Sequence, residues 1–220
     1  MKCSHCDHPD YILFRKNRGA QRYRCQACRR TFQTMRKGKD PALKEQAQKL
    51  YLEGLGLRAI GRILGVHHKA VSRWLVQAAG QLPVNQPRTK ACSFIEVDEL
   101  CSFVAKKIQI WIWVAMDSTV GKVLGFVCGS RSIKTSRELF KQLKGLPTKG
   151  YGTDFLKTYE QLIPTALHHQ GKTFTTQIES LNCRLRHYLA RLHRRTLCYS
   201  KSKRMLEISL KLLIHKFNNA

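Results

Sequence analysis

Three carboxylates in this sequence occupy settings suited to metal-assisted phosphoryl chemistry: Asp98 in FIEVDEL, Asp154 in GYGTDFL and Glu179 in TTQIESLNCRLR. Oxygen ligands from two strand ends and a late helix can hold a pair of Mg²⁺ (or Mn²⁺) ions. Such ions sit roughly 3.5–4 Å apart and clamp the attacking and leaving oxygens of a displacement. The chain has 14 acidic residues against 40 basic ones, so three acids in such settings need an explanation. A buried ion pair with Arg or Lys is the alternative for a carboxylate placed mid-strand between Val97 and Leu100. Glu96 lies on the same side of the strand as Asp98 and Glu99 on the other. Both are expected to be surface acids in salt bridges.

The elements that must position these acids follow from pattern. Residues 94–105, 108–117 and 121–128 alternate as strands. The turn from Asp117 to Gly121 makes Asp117 structural. A helix from Ser132 to Leu143 crosses over to the strand that delivers Asp154. A helix over 155–162 and a short strand near 165–169 follow. The last helix opens at Glu179 and runs to about Leu192, with Leu181, Leu185, Leu189 and Leu192 on one face. Three antiparallel strands followed by alternating helices and strands predict an α/β fold, a ribonuclease-H-like mixed sheet, with the Asp98 strand beside the Asp154 strand. Asn182 and Arg186 lie one and two turns past Glu179, where both can touch a nucleic-acid strand.

Cys3-x₂-Cys6 and, eighteen residues on, Cys25-x₂-Cys28 form two knuckles that can present four thiolates to one structural Zn²⁺. Tyr11–Phe14 and Gln21–Arg24 predict a hairpin between them, hence a zinc ribbon over residues 1–35. A redox dithiol is the competing reading, although nothing βαβ-like flanks either pair. Cys92, Cys101, Cys128, Cys183 and Cys198 have no paired spacing and are expected to be small apolar fillers.

The formal net charge is +26. Residues 1–90 hold 19 basic and 5 acidic side chains, residues 91–154 hold 9 and 6, and residues 155–220 hold 12 and 3. A near-balanced middle with basic flanks implies a polyanionic partner, most simply double-stranded DNA. No apolar run is long enough to span a membrane and the N-terminus is not a signal peptide, so the expected place is a reducing cytoplasm, in association with the nucleoid. Residues 41–80 read as three helices, the last two around Gly65-Val66, in the pattern of a helix-turn-helix. His67, His68, Lys69, Ser72 and Arg73 would then enter the major groove. A dimerising three-helix bundle is the alternative. Residues 81–93 form a Pro-containing linker, and residues 94–220 the core with basic C-terminal helices.

With the four cysteines, LRAIGRILGVHHKAVSRWL, VDE, GTDFLKTY and TTQIESLNCRLRHYLARL in this order, the chain resembles the transposases of the insertion sequence one family. That resemblance implies a DDE-type transposase whose acids are Asp98, Asp154 and Glu179 and whose basic residue is Arg186. It implies terminal inverted repeats and target DNA as partners, and a homodimer or larger assembly on DNA. Arg184, Arg191, Arg194 and Arg195 would help hold the strands. The segment after the second Asp departs from the family's usual Gly-Trp, reading Phe155-Leu156 here. A DNA-binding regulator without catalysis and a nuclease of the same fold are the rival functions.

Overall fold

The structure, a computed structural model, describes residues 1–17, 20–33, 40–83, 92–105, 108–193 and 198–219. Arg194 and Arg195, most of the linker and the tip of the first hairpin lie outside the described residues. Two compact units appear, Met1–Pro41 and Ala42–Ala220.

The first unit is a three-stranded antiparallel sheet of β1 (Tyr11–Asn17), β2 (Ala20–Cys25) and β3 (Thr31–Gln33), with β2 in the centre. Its core is small. Tyr11, Tyr23 and Phe32 pack ring against ring beside buried Cys3 and Cys25.

The second unit begins with α1 (Pro41–Leu52), α2 (Leu57–Ile63) and α3 (His68–Gln81). Then come β4 (Ile95–Val104), β5 (Ile108–Asp117), β6 (Lys122–Gly129), α4 (Ile133–Leu143), β7 (Tyr151–Thr153) and α5 (Lys157–Glu160). They are followed by β8 (His168–Gln170), α6 (Thr176–Tyr188) and α7 (Lys203–Asn218). The five strands run in the order β6-β5-β4-β7-β8. β4, β5 and β6 pair antiparallel, whereas β4–β7 and β7–β8 pair parallel. This is the ribonuclease-H-like sheet that the element order predicts.

Strand alternation sorts the core into two layers. Leu100, Ile110, Ile112, Val114 and Met116 face α6, α7 and the three N-terminal helices. Ile95, Val97, Trp113 and Ala115 face α4 and Tyr159. Asp98 therefore leaves the sheet toward α6, and Glu99 toward the α4 and α5 side.

Helices α1–α3 share the larger core with α7. The Tyr51 hydroxyl meets Ser209 Oγ at 2.8 Å, and Arg191 both stacks over the Tyr51 ring at 4.3 Å and donates to its oxygen. At the far edge Asn218 accepts from Val123 N and donates to Val123 O, both at 2.9 Å, completing β6 beside its bulge. Among the described residues no helix is long and apolar enough to cross a membrane.

Three element expectations change. The last expected helix runs from Thr176 to Tyr188 and not from Glu179 to Leu192, because Leu189 is extended and the chain continues as a short 3-10 turn. The Leu spacing outlives the helix because the turn keeps Leu189 and Leu192 buried. Residues 155–162 contain only the single turn of α5. The strand near 165–169 is 168–170, preceded by a 3-10 turn.

Gly152 sets how closely β7 approaches the segment before α6. An added Cβ there would collide with the Phe174 carbonyl oxygen and come within 2.8 Å of the Phe94 ring. Because the first obstacle is backbone, Gly152→Ala is expected to destabilise the second unit by at least about 2 kcal/mol, seen as a lowered urea midpoint with an unchanged slope.

Candidate active site

The parallel pairing of β4 and β7 is short: Ile95 opposes Tyr151 and Glu96 opposes Gly152. Beyond that point the strands separate. The Asp154 carboxylate turns back to accept from Leu156 N at 3.0 Å, ending β7. In the gap the carboxylates of Asp98, Glu99 and Asp154 come within 4.8 Å of one another. The sequence expectation that Asp98 and Asp154 lie on neighbouring strands is met in space.

Each acid is held by specific donors. Asn182 Nδ2 donates to Asp98 Oδ2 at 2.7 Å. Arg131 Nε and Nη2 reach Glu99 Oε1 at 2.9 and 2.7 Å, and the Tyr159 hydroxyl donates to Glu99 Oε2 at 2.7 Å. Glu96 accepts from Ile178 N at 2.8 Å and so caps α6, whose own N-cap residue Thr175 makes no side-chain cap bond. Glu96 and Glu99 are thus buried and bonded. Their expected place on the surface is incorrect: Glu99 does form a salt bridge, but an inner one, and Glu96 serves a helix terminus.

Glu179 stands exposed on the first turn of α6, accepting from Thr175 Oγ1 at 3.1 Å, apart from the three gathered acids. Asn182, one turn later, is the α6 residue that touches Asp98. Arg186 is half-buried, with its Nε shielded and without a hydrogen-bond partner among the described residues. Arg184 lies on the Phe217 ring at 4.7 Å, and Arg191 is spent on Tyr51. His67 precedes α3 and caps it by accepting from Lys69 N, and its ring lies 4.2 Å from that of His68. Lys69 and Arg73 are exposed, and Ser72 is half-buried.

Burial, and next the charge of Glu99, pushes the Asp98 carboxyl up to about 6, with Asn182 acting against the shift. Glu99 is raised by burial, opposed by its bonds to Tyr159 and Arg131. With both oxygens engaged, Glu99 serves as an anchor, whereas Asp98 and Asp154 form the part of the cluster that can take up a divalent cation. Arg131 and Tyr159 carry no sequence signal for this role beyond their types. Asn182 carries one, its spacing on the helix face.

The four knuckle cysteines also converge. Cys3 Sγ lies 3.7 Å from Cys28 Sγ and Cys6 Sγ 3.6 Å from Cys25 Sγ, and all four sulfurs are within 4.8 Å. A tetrahedron with Zn–S near 2.3 Å has edges of about 3.8 Å, so the set fits Zn²⁺. The residue after each knuckle, Asp7 (φ 55°) and Arg29 (φ 56°), is left-handed. That conformation costs a non-glycine residue on the order of 1 kcal/mol, and the repeat marks two matching turns. The Cys25 thiol is lowered to about 7, chiefly by the backbone N–H of Cys28. Of the other cysteines, Cys92 and Cys128 are buried fillers as expected, but Cys183 and Cys198 are exposed.

The sheet order, with acids gathered where its central parallel pair ends, defines a ribonuclease-H-like core. A family model described as IS1 transposase matches residues 91–219. The insertion element iso-IS1n protein InsB of Shigella dysenteriae is 36% identical over 122 residues, 55% of this chain and 93% of that protein. The insertion element IS1 9 protein InsB of Escherichia coli K12 is 34% identical over 134 residues, 60% and 78% of the two chains. The chain belongs to the IS1 transposase family. The family model begins at residue 91 and does not include the ribbon or α1–α3. A chain of the simian T-cell lymphotropic virus intasome, in complex with PP2A regulatory subunit B56 gamma, shares 16% identity at a TM-score of 0.37, over 77% of this chain and 66% of that one.

Two outcomes follow from this geometry. The folded Asp98 carboxyl is raised above its unfolded value of 3.8. The stability that comes from its protonation is therefore full below about pH 3.8 and lost as pH rises through 6. In urea titrations without added Mg²⁺ or Mn²⁺, Asp98→Asn is expected to be more stable than the parent by about 2 to 3 kcal/mol at pH 7, the gap closing near pH 4. For the ribbon, Co²⁺ exchange is expected to give the intense thiolate-to-metal absorption of an S₄ site, weakened or shifted in Cys25→Ser.

Proposed function

We propose that this transposase cuts DNA at the ends of its element and joins the freed 3′-hydroxyl to target DNA. The ribbon and the α2–α3 pair bind the terminal inverted repeats. The observation that carries the reading is the meeting of Asp98 and Asp154 where β4 and β7 part, in a chain of net charge +26. Asp98, Asp154 and Glu179 would hold two Mg²⁺ (or Mn²⁺) ions, and the ribbon cysteines Zn²⁺. Bound there, the divalent ions supply Lewis-acid activation of a water or 3′-hydroxyl and stabilise the leaving oxygen.

The protein's own residues do the positioning. Asn182 holds one oxygen of Asp98, which leaves the other available. The turn closed on Leu156 N fixes Asp154. Glu179 must exchange its bond from Thr175 for a place beside the two aspartates, and Glu96 keeps α6 in register with β4 while it does so. Arg186, with Nε free of protein partners, supplies positive charge near the strand. On the DNA-reading side, Lys69 and Arg73 are exposed for phosphate and base contacts, with His67, His68 and Ser72 at the same end of α3. Because two element ends must be brought together, the active form is a homodimer or larger assembly on DNA.

The reading is tested by incubating the full chain with labelled element-end DNA, a target plasmid and Mg²⁺, beside Asp154→Asn. Joined product is expected from the parent chain, reduced more than about a hundredfold in the variant while end binding is kept. Cleavage without joining would identify a nuclease. Specific binding with neither reaction would identify a regulator.

A further inference from the structure

Arg131 lies on the loop from β6 into α4, where its Nε and Nη2 are bonded to Glu99 and its guanidinium sits 4.6 Å over the Trp111 ring. The two partners differ sharply in exposure. The Glu99 side chain is 2% exposed and that of Arg131 is 43% exposed. One edge of the guanidinium is therefore anchored on a buried carboxylate, while the side chain that carries it remains part-exposed. An Arg held this way has already lost its rotamer freedom on folding, so a ligand that meets it does not bear that ordering cost.

The two residues that hold Arg131, Glu99 and Trp111, also line an open cleft of about 380 Å³ together with Ser102, Phe103, Arg186 and His193. Arg186 supplies the guanidinium of this lining, its Nε shielded from solvent and without a hydrogen-bond partner among the described residues, whereas Arg131 is not itself a lining residue. Among the described residues that line it Glu99 is the only carboxylate, and its oxygens are taken by Arg131 and Tyr159. What remains for a ligand is the Arg186 guanidinium in the cleft and the Arg131 guanidinium held on two of its lining residues, beside the Asp98–Asp154 cluster to which Glu99 also belongs. A phosphodiester matches that: its non-bridging oxygens accept from a guanidinium in fixed geometry. Neutralising Glu99 alone would not require a cation that stays 43% exposed.

The geometry points to Arg131 as a phosphate-contacting residue for a DNA strand running past this cleft, with Glu99 and Trp111, which hold Arg131 and line the cleft, as the positioning residues that aim it. The inference deepens the transposase reading and rests on it for the identity of the strand. Arg186 lines the cleft itself.

The test is binding of the full chain, by fluorescence anisotropy, to end DNA carrying a neutral methylphosphonate at one phosphate at a time. In the parent chain, one or two positions are expected to weaken binding roughly tenfold. Arg131→Lys loses the fork but keeps the charge. Glu99→Gln/Arg131→Met removes both charges, so no buried ion is left alone if Arg131→Lys fails to fold. Either variant is expected to bind unmodified DNA more weakly and to lose little further at those same positions. A merely structural role predicts that variant and parent respond alike to every methylphosphonate, and that result would overturn the inference. Joining is scored on the same DNA. Joining without coupling at any phosphate removes Arg131 from the interface and leaves the transposase reading intact, and coupling without joining does the reverse.

Discussion

Like charges in a half-buried space are the constraint on which the second unit depends. Glu96, Asp98, Glu99 and Asp154 occupy neighbouring positions on two parallel strands, and none of them can be left without a donor at this depth. The fold answers each separately. The N-terminus of α6 serves Glu96, Asn182 serves Asp98, Arg131 and Tyr159 serve Glu99, and the Leu156 N–H serves Asp154. Those donors come from α6, from the loop before α4 and from the turn into α5, so neutralising the acids also locks the helices on both faces to the sheet. Burial first and the neighbouring acids second raise the Asp98 carboxyl to about 6, and burial raises Glu96 and Glu99 as well. A cation bound between Asp98 and Asp154 would offset both contributions.

What could be read from the sequence was whatever repeats at a fixed local spacing. The cysteine knuckles, the alternation of β4 and β5 and the element order were all visible, and the order alone set Asp98 beside Asp154. The hidden parts depend on partners far along the chain. Glu99 meets Arg131 32 positions away, Glu96 meets Ile178 82 positions away, and Arg191 meets Tyr51 140 positions away. Nothing in the local pattern of a strand says whether its acid will find solvent or an arginine. For the same reason Arg191, one of several bases near the chain's end, read as a DNA contact although its guanidinium is stacked on an internal tyrosine. The helix end at Tyr188 was missed because burial of Leu189 and Leu192 continues the helical spacing while the backbone has already left it.

The family match and the cysteine cluster speak to different parts of the chain. Residues 91–219 are covered by the family model, and the acids, Asn182, Arg131 and Arg186 all fall within it. The ribbon stands on its own geometry, two matching knuckles with a left-handed residue after each. Helices α1–α3 lie outside that matched range yet share their buried side chains with α7, so the second unit cannot be divided at the linker without exposing apolar surface.

The Tyr51–Ser209–Arg191 knot has a geometrical consequence. It ties α1 to α7 and to the turn that continues α6, the helix bearing Glu179 and Asn182. Helices α1–α3, which share a core with α7, and the helix bearing Glu179 and Asn182 therefore belong to one packed frame. On the proposed reading, the span between the bases recognised and the bond broken is set by that frame, like the jaws of a caliper, and not by the length of a tether.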